Sequence, residues 1–217
     1  MRQFAALVFA IVIASSTAAF AQPTTAPTSQ PADSTTPQGT LKLLNRATAG
    51  GDGATIRKLM FVSTTQESRV ADTLVNRTQT YAKFRAAAVK TFGEAGAAKV
   101  AGDDEKDNAD AAIDQAEVKI DGDKAIVQMQ GQPVNLLKVD GIWKLSLAGL
   151  TEGLPATEVD KMLDQMKMFI AVMSQTTDEV NQGKYKSADE VNDAIRAKLA
   201  TVMMQAQEAA TQPTTAP

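Results

Sequence analysis

Apolar and polar side chains alternate through residues 116–148 in a way that predicts four short β-strands. The apolar members of the alternation are Val118, Ile120, Ala125, Val127, Met129, Trp143, Leu145 and Leu147. Between the runs lie Asp121-Gly122, Gly131-Gln132-Pro133 and Asp140-Gly141, which contain the residues that tight hairpins need. We therefore expect an antiparallel meander with one apolar face that helices must cover.

A few positions in the meander depart from strict alternation. Ile126 is apolar where a polar residue is expected, and so is one of Leu136 and Leu137. This favours partial cover of the second face as well. Trp143 is the only tryptophan of the chain, and we expect it to anchor the core.

In the residues before the meander, the apolar side chains recur at helical spacing. Leu41, Leu43, Leu44 and Ala47 follow the candidate N-cap Thr40, and together they predict a short amphipathic helix. The glycines of 50–53 should stop this helix before a second, shorter one that carries Ile56, Leu59 and Met60.

A longer helix is predicted from Glu67 to Phe92, because its apolar side chains recur at steps of three, four and seven. Tyr81, Phe84 and Phe92 form an aromatic stripe along it. Such a stripe is typical of core packing, and the alternative interpretation is the lining of a ligand pocket.

Two more helices are predicted after the meander. One begins near Pro155 and Thr157, and the other begins at Ser187, where Glu190 completes a capping box. Six methionines lie in these helices, at 162, 166, 168, 173, 203 and 204. They indicate either flexible core packing or an adaptable binding surface.

These elements predict the α+β class: an antiparallel β-meander of about four strands packed against helices, with a C-terminal helical hairpin. We expect a single domain over 40–208, made of helices plus meander in 40–150 and the hairpin in 156–208. A disordered Pro/Thr-rich linker at 22–39 and a disordered tail at 209–217 should flank it.

Residues 1–21 have the three-part layout of a signal peptide: Arg2, an apolar run from Phe4 to Ala14, and Ala19-Phe20-Ala21 before Gln22. An uncleaved anchor is the alternative. Cysteine is absent from the whole chain, which suits a bacterial periplasmic or secreted protein that relies on its core. We therefore expect an exported protein, periplasmic or extracellular, with no membrane span after cleavage.

The composition excludes several kinds of functional site. The chain has 22 basic and 25 acidic side chains, a formal charge of −3, so nothing in it attracts nucleic acid. It has neither histidine nor cysteine, so His-based or Cys-based nucleophiles, zinc sites, haem ligation and thiol redox centres are excluded. No glycine-rich nucleotide-binding loop is present.

An acidic stretch, Asp103 to Asp110, is predicted to be a charged surface loop. A calcium loop is the alternative, with Asp103, Glu105, Asp107 and Asp114 as oxygen ligands. The fit is poor because Asn108 replaces the glycine of the sharp turn and Asp114 is shorter than the usual glutamate. We assign no metal-binding residue.

The text LNRATAGGDGATIRKLM, then IDGDKAIVQM and LLKVDGIWKLSL, resembles the SnoaL-like or nuclear transport factor 2-like superfamily over residues 40–148. The resemblance implies an α+β cone in which a curved antiparallel sheet wraps helices around a pocket. Its members include isomerases, hydrolases, dehydratases and non-catalytic binding modules. The long helix at 67–92 and the hairpin at 156–208 depart from that pattern, and no family site residue can be matched here.

The sequence therefore predicts an exported, non-catalytic binding or interaction domain that takes a small apolar ligand or a protein partner. It identifies no catalytic residue, no cofactor-binding residue and no cofactor. One alternative is a SnoaL-like pocket enzyme using Asp, Glu or Tyr. The other is a structural protein that dimerises through its C-terminal hairpin.

Overall fold

A computed structural model describes residues 33–102 and 106–211. These residues divide into two compact units. The first unit holds 33–71 and 106–152, and the second holds 72–102 and 153–211. Both the predicted signal peptide and most of the predicted linker lie outside the described residues. The prediction of a single domain over 40–208 stays a prediction.

The first unit combines helices with a five-stranded sheet. Its elements in chain order are α1 (Pro37–Gly50), α2 (Gly53–Lys58), β1 (Met60–Phe61), the first turns of α3 (Thr65–Ala101), α4 (Lys106–Gln115), β2 (Val118–Asp121), β3 (Lys124–Met129), β4 (Gln132–Val139), β5 (Ile142–Ser146) and α5 (Ala148–Thr151). The strand order is β1-β5-β4-β3-β2. Strands β2 to β5 form the predicted antiparallel meander, so the α+β class is confirmed.

Strand β1 was not predicted from the sequence. It is two residues long and pairs with β5 in parallel, placing Met60 beside Leu145. The N–H of Leu145 donates to the carbonyl of Leu59 at 2.8 Å. So short a strand shows no alternation, which is why the apolar pattern suggested only the end of a helix.

Helix α1 packs on the apolar face of the sheet, beside a cluster made of Ala125, Val127, Leu136 and Trp143. Thr40 is fully buried there, and its hydroxyl donates to the carbonyl of Trp143 at 3.0 Å. The prediction that Trp143 anchors the core is confirmed. On the second face, Ile126 is exposed and Leu137 is half-buried, so the partial cover expected there is found at Leu137 but not at Ile126.

The N-cap of α1 is Thr36 rather than Thr40. The hydroxyl of Thr36 accepts from the N–H of Gly39 at 3.0 Å, and Pro37 follows at the first helical position. A Cβ on Gly39 would lie 2.0 Å from the carbonyl oxygen of Asp33, so this position requires glycine. The helix therefore begins four residues earlier than its apolar pattern suggests, because the cap and the first turn carry no apolar signal.

The second unit is helical. It contains α3 from Asp72 onward, α6 (Ala156–Asn181) and α7 (Ala188–Thr211), and α6 contacts α7 as predicted for the hairpin. At Gly93, with φ at 72° and ψ at 176°, α3 reverses direction. Ala101 then packs beside Phe84 and Ala87. The predicted end of the long helix at Phe92 is correct, and 94–101 form a further helical arm.

Apolar side chains from all of these arms build the core of the second unit. Its buried members are Phe84, Ala87, Ala101, Met173, Val180 and Val191, with Phe92 packed against them. The core interpretation of the aromatic stripe is confirmed for Phe84 and Phe92, whereas Tyr81 is partly exposed and its hydroxyl donates to the carbonyl of Ala101.

The predicted capping box of α7 is also confirmed. The hydroxyl of Ser187 accepts from the N–H of Glu190 at 3.2 Å, and the Glu190 carboxylate accepts from the N–H of Lys186 at 2.8 Å. Across the described residues, no helix is both long and apolar enough to cross a membrane.

Candidate functional site

A groove of about 510 Å³ lies between α3 and α6 in the second unit. The residues that line the groove recur at steps of three and four on each helix, so one face of α3 and one face of α6 form its two walls. The lining consists of Asn76, Thr80 and Lys83 from α3 and of Lys167, Ile170, Ala171, Ser174, Thr177 and Asp178 from α6. We call this surface the α3–α6 groove. Its volume falls in the range that small-molecule sites occupy.

Hydrogen-bonding side chains dominate the α3–α6 groove. Two ammonium groups, three hydroxyls and one amide face a single carboxylate, that of Asp178. Ile170 is buried and supplies apolar floor together with Ala171. Such a lining suits a polar ligand rich in acceptor oxygens more than an apolar one.

The hydrogen bonds and ion pairs already present leave much of the groove's hydrogen-bonding capacity available to a ligand. The hydroxyl of Thr177 donates to the carbonyl of Met173 at 2.7 Å, which leaves its oxygen free to accept. Lys167 Nζ lies 3.0 Å from Asp164 in a solvent-exposed pair, which costs little to exchange. Lys83 is exposed and forms no ion pair within the described chain.

Directly after the groove residues, α6 carries Glu179 in a cluster of donors. The carboxylate accepts from Lys184 Nζ at 2.8 Å, from Lys198 Nζ and from the Tyr185 hydroxyl. Hydrogen bonds from Lys184, Lys198 and Tyr185 lower the pKa of Glu179 to about 2. Burial, followed by the contact with Glu179, raises the pKa of Tyr185 to about 12.

The protonation states that follow are an anionic Glu179 and a neutral Tyr185 at neutral pH. A general acid or base would need a pKa closer to the working pH. The cluster instead joins α6 to the loop before α7 and to α7 itself, which is a structural role. The sequence showed no sign of it, because these side chains look like ordinary surface residues of two helices.

A second groove, of about 430 Å³, lies where α3 reverses and α7 begins. It is more open than the α3–α6 groove and includes Phe92, Lys99 and Lys186. Beside it, the N–H of Glu190 donates to the Ser187 hydroxyl, and Asn192 Nδ2 donates to the Lys99 carbonyl at 3.2 Å. Because this groove is the more open of the two, we regard it as the weaker candidate.

The first unit contains an ion pair beneath helix α1. Lys42 has no exposed side-chain area, and its Nζ lies 2.6 Å from Asp114 on α4. One turn along both helices, Arg46 lies 2.7 Å from Asp110, but this pair is largely exposed. The amphipathic pattern placed leucines on the buried face of α1 and gave no indication that a lysine would join them.

These contacts correct the prediction for the acidic stretch. Residues 106–115 form helix α4, not a loop, whereas 103–105 lie outside the described residues. Asp110 and Asp114 point to cations on α1 rather than to a common centre. Among the described residues no cluster of three or more acidic side chains could hold a metal ion.

Three further carboxylates have shifted pKa values, and all three shifts are downward. The side-chain and backbone hydrogen bonds from Thr35 lower the pKa of Asp33, and those from Thr55 lower the pKa of Asp52. For Glu67, burial is the largest single influence and raises the pKa, but hydrogen bonds from Ser63 and Thr64 together outweigh it. Each carboxylate serves as an acceptor at the start of a turn or helix.

The methionines of the hairpin divide between two environments. Met166 and Met173 are buried, as core packing requires, while Met203 and Met204 on α7 are 69% and 63% exposed. The core interpretation therefore holds for the middle of α6 but not for that part of α7. Comparison with known proteins adds no relative: no family model, no curated protein and no solved structure matches this chain.

Proposed function

We propose that this protein is a non-catalytic binding domain and that its binding surface is the α3–α6 groove. The observation that carries the proposal is the concentration of donors, from Lys83, Lys167 and Ser174 among others, in one concave surface of small-molecule size. The ligand we propose is polar. This replaces the small apolar ligand that the sequence alone suggested, because apolar side chains form only part of the groove floor.

We also propose that the protein is exported and that residues 40–148 belong to the SnoaL-like superfamily. The order of α1, the bend at 50–53, α2, β1 and then a meander with Asp-Gly turns supports this membership. The pocket-enzyme alternative would be supported by a closed cavity that holds a carboxylate with a raised pKa. Every carboxylate shift resolved in the described part of the chain is downward, so we do not advance it.

Dimerisation through the C-terminal hairpin is a second candidate function. The exposure of Met203 and Met204 favours it, because two neighbouring apolar side chains on α7 are available to a partner helix. Changing both to lysine should convert such a dimer into a monomer while leaving the buried core of α6 and α7 intact. An unchanged mass would dispose of this candidate.

The groove can be tested by filling it. Ala171 is exposed on α6 within the lining, so Ala171→Trp should occupy the groove without entering the core. Gln165→Trp, at an exposed position of the same helix outside the lining, is the matched control. Each chain would be incubated with a small-molecule extract of the organism that naturally makes this protein, and bound molecules would be detected by native mass spectrometry.

We expect bound small molecules on the parent chain and on Gln165→Trp, with at least about tenfold less on Ala171→Trp. Equal occupancy of all three chains would place binding elsewhere. Absence of any bound molecule from all three would remove the support for a small-molecule groove.

A further inference from the structure

We propose that strand β2 is a self-association site at which two copies of this chain pair edge to edge and join their sheets. Strand β2 is the outermost strand of the five-stranded sheet, next to β3 alone. An edge strand offers a row of unpaired backbone donors and acceptors to another strand. The proposed partner is a second copy of β2, running antiparallel about a two-fold axis through Ile120.

The register of β2 on β3 decides which backbone groups face outward. Gln128 donates its N–H to the carbonyl of Glu117, and Lys119 lies opposite Ile126 in the same register. In an antiparallel ladder, hydrogen-bonded and non-hydrogen-bonded pairs alternate. Lys119 and Asp121 therefore bond inward to β3, while the N–H and C=O of Ile120 face the open edge.

The side chain of Ile120 supports the same site. Ile120, Ala125 and Leu136 form one row across β2, β3 and β4 on the apolar face. Ala125 and Leu136 are each 1% exposed, whereas Ile120 is 56% exposed at the end of the row. A second Ile120 directly opposite would continue the apolar row across the junction.

The charges on either side of Ile120 are self-complementary. With Ile120 opposite Ile120 of the second copy, Lys119 faces Asp121 of that copy and Asp121 faces its Lys119. Both side chains are exposed and lie on the other face of the sheet from Ile120. Opposite charges directly across a pair of strands stabilise the pairing, and like charges destabilise it.

Other registers lack this combination. Centring the axis on Lys119 would place two lysines opposite each other and use backbone groups already bonded to β3. Centring it on Val118 would bring in Glu117 and Ala116, which precede the strand. With the axis through Ile120, the three central pairs are Ile120 with Ile120 and, on either side, Lys119 with Asp121. Only this axis keeps all three pairs inside β2 and places opposite charges across from each other.

A lysine at a sheet edge can also serve to prevent pairing, and charge reversal separates the two roles. We would measure self-association of the full chain by sedimentation velocity at low ionic strength, where surface charges are least screened. The variants are Lys119→Asp, Asp121→Lys and the double variant K119D/D121K. Lys90→Glu, at an exposed position of α3 outside the sheet, controls for the change in net charge.

We expect the parent chain and Lys90→Glu to dimerise, and each single edge variant to do so at least about tenfold more weakly. The double variant should regain the parent affinity. A mixture of the two single variants should associate more tightly than either alone, because acidic residues on one copy then face lysines on the other.

Three results would overturn the proposal. A parent chain that stays monomeric would show that the edge is protected rather than adhesive. Equal association of all variants would place any dimer at another surface, such as Met203 and Met204. Loss of dimer in Lys119→Asp but not in Asp121→Lys would shift the axis to Val118.

Discussion

The two units of this protein both bury charged side chains, but they do so in opposite ways. In the first unit, fully buried Lys42 pairs with Asp114 across two helices. In the second unit, buried Glu179 is surrounded by donors from the loop before α7 and from α7 itself. The buried charge of the first unit is a cation beside a carboxylate of another helix, whereas that of the second unit is a carboxylate that accepts from three side-chain donors.

The difference has a physical consequence. Removing one partner of a buried ion pair leaves a charge in a poorly polarisable environment, which costs more than the pair itself contributes. A carboxylate with several donors loses only part of its compensation when one donor is removed. The Lys42 side chain has no exposed area, whereas that of Glu179 is 12% exposed, so we expect the first unit to be the more sensitive to a single change at its buried charge.

The largest effect is expected for Asp114→Ala. It would remove the carboxylate that lies 2.6 Å from the fully buried ammonium of Lys42, at a cost of up to about 3–5 kcal/mol in the free energy of unfolding. Urea unfolding would measure the loss, and hydrogen exchange should show the amides of β3 and β4 losing protection first.

Asp110→Ala is the matched control on the same helix. Arg46 is 60% exposed, so losing this pair should cost no more than about 1 kcal/mol. A double variant, Lys42→Met with Asp114→Leu, should recover most of the stability because it leaves no unpaired charge. Similar losses for Asp114→Ala and Asp110→Ala would contradict the contrast between buried and exposed pairs.

An intermediate effect is expected for Glu179→Gln, at about 2 kcal/mol near neutral pH, because charge-assisted hydrogen bonds are replaced by weaker ones. The pKa of Glu179 is depressed from 4.5 to about 2, so its contribution is present above about pH 4.5 and is lost as the pH falls towards 2. Urea unfolding of both chains from pH 7 to pH 2 should show the difference disappearing. A constant difference across that range would be inconsistent with an ionised Glu179.

Tyr185 should make the stability of the second unit depend on pH at the alkaline end as well. Its pKa is raised from 10.0 to about 12, so the stability it contributes is full below pH 10 and is lost as the pH rises towards 12. Tyr185→Phe should remove this alkaline loss while keeping the ring in place. An unchanged alkaline limit in Tyr185→Phe would assign the loss to other groups.

The smallest effect is expected at the start of α1. Thr36→Ala should destabilise the first unit by about 1 kcal/mol, because the N–H of Gly39 loses its side-chain acceptor. Thr36→Ser keeps that acceptor and should be close to neutral in thermal unfolding. Equal losses in the two variants would point to the methyl group of Thr36 instead of the cap.

Much of the fold could be predicted from residue patterns, since both kinds of regular element leave a periodic signal. The meander followed from alternation and Asp-Gly turns, and its register agrees with the predicted inward row of Ala125 and Val127. In α6, Val159, Leu163, Met166, Ile170 and Met173 are all buried as their spacing indicated. The helical state of 106–115 was missed because the segment has as many charged residues as apolar ones and only one large apolar side chain, Ile113, which weakens the helical pattern.

The candidate site was harder to predict for a related reason. The α3–α6 groove brings together side chains that are each unremarkable on a single helix, such as Asn76, Thr80 and Ser174. Their significance depends on which helices become neighbours. Periodicity identifies the buried side of a helix but does not identify the element that packs against it.

By itself, the sequence determined the α+β class, the meander and its turns, the capping box at Ser187 and the end of the long helix at Phe92. Each of these depends on interactions between residues close together in the chain. Only the tertiary structure decided that Lys42 is buried against Asp114, that Glu179 gathers its donors, and that β2 is an edge with Ile120 exposed. The physical reason is that burial and charge compensation depend on contacts between elements, which local patterns do not specify.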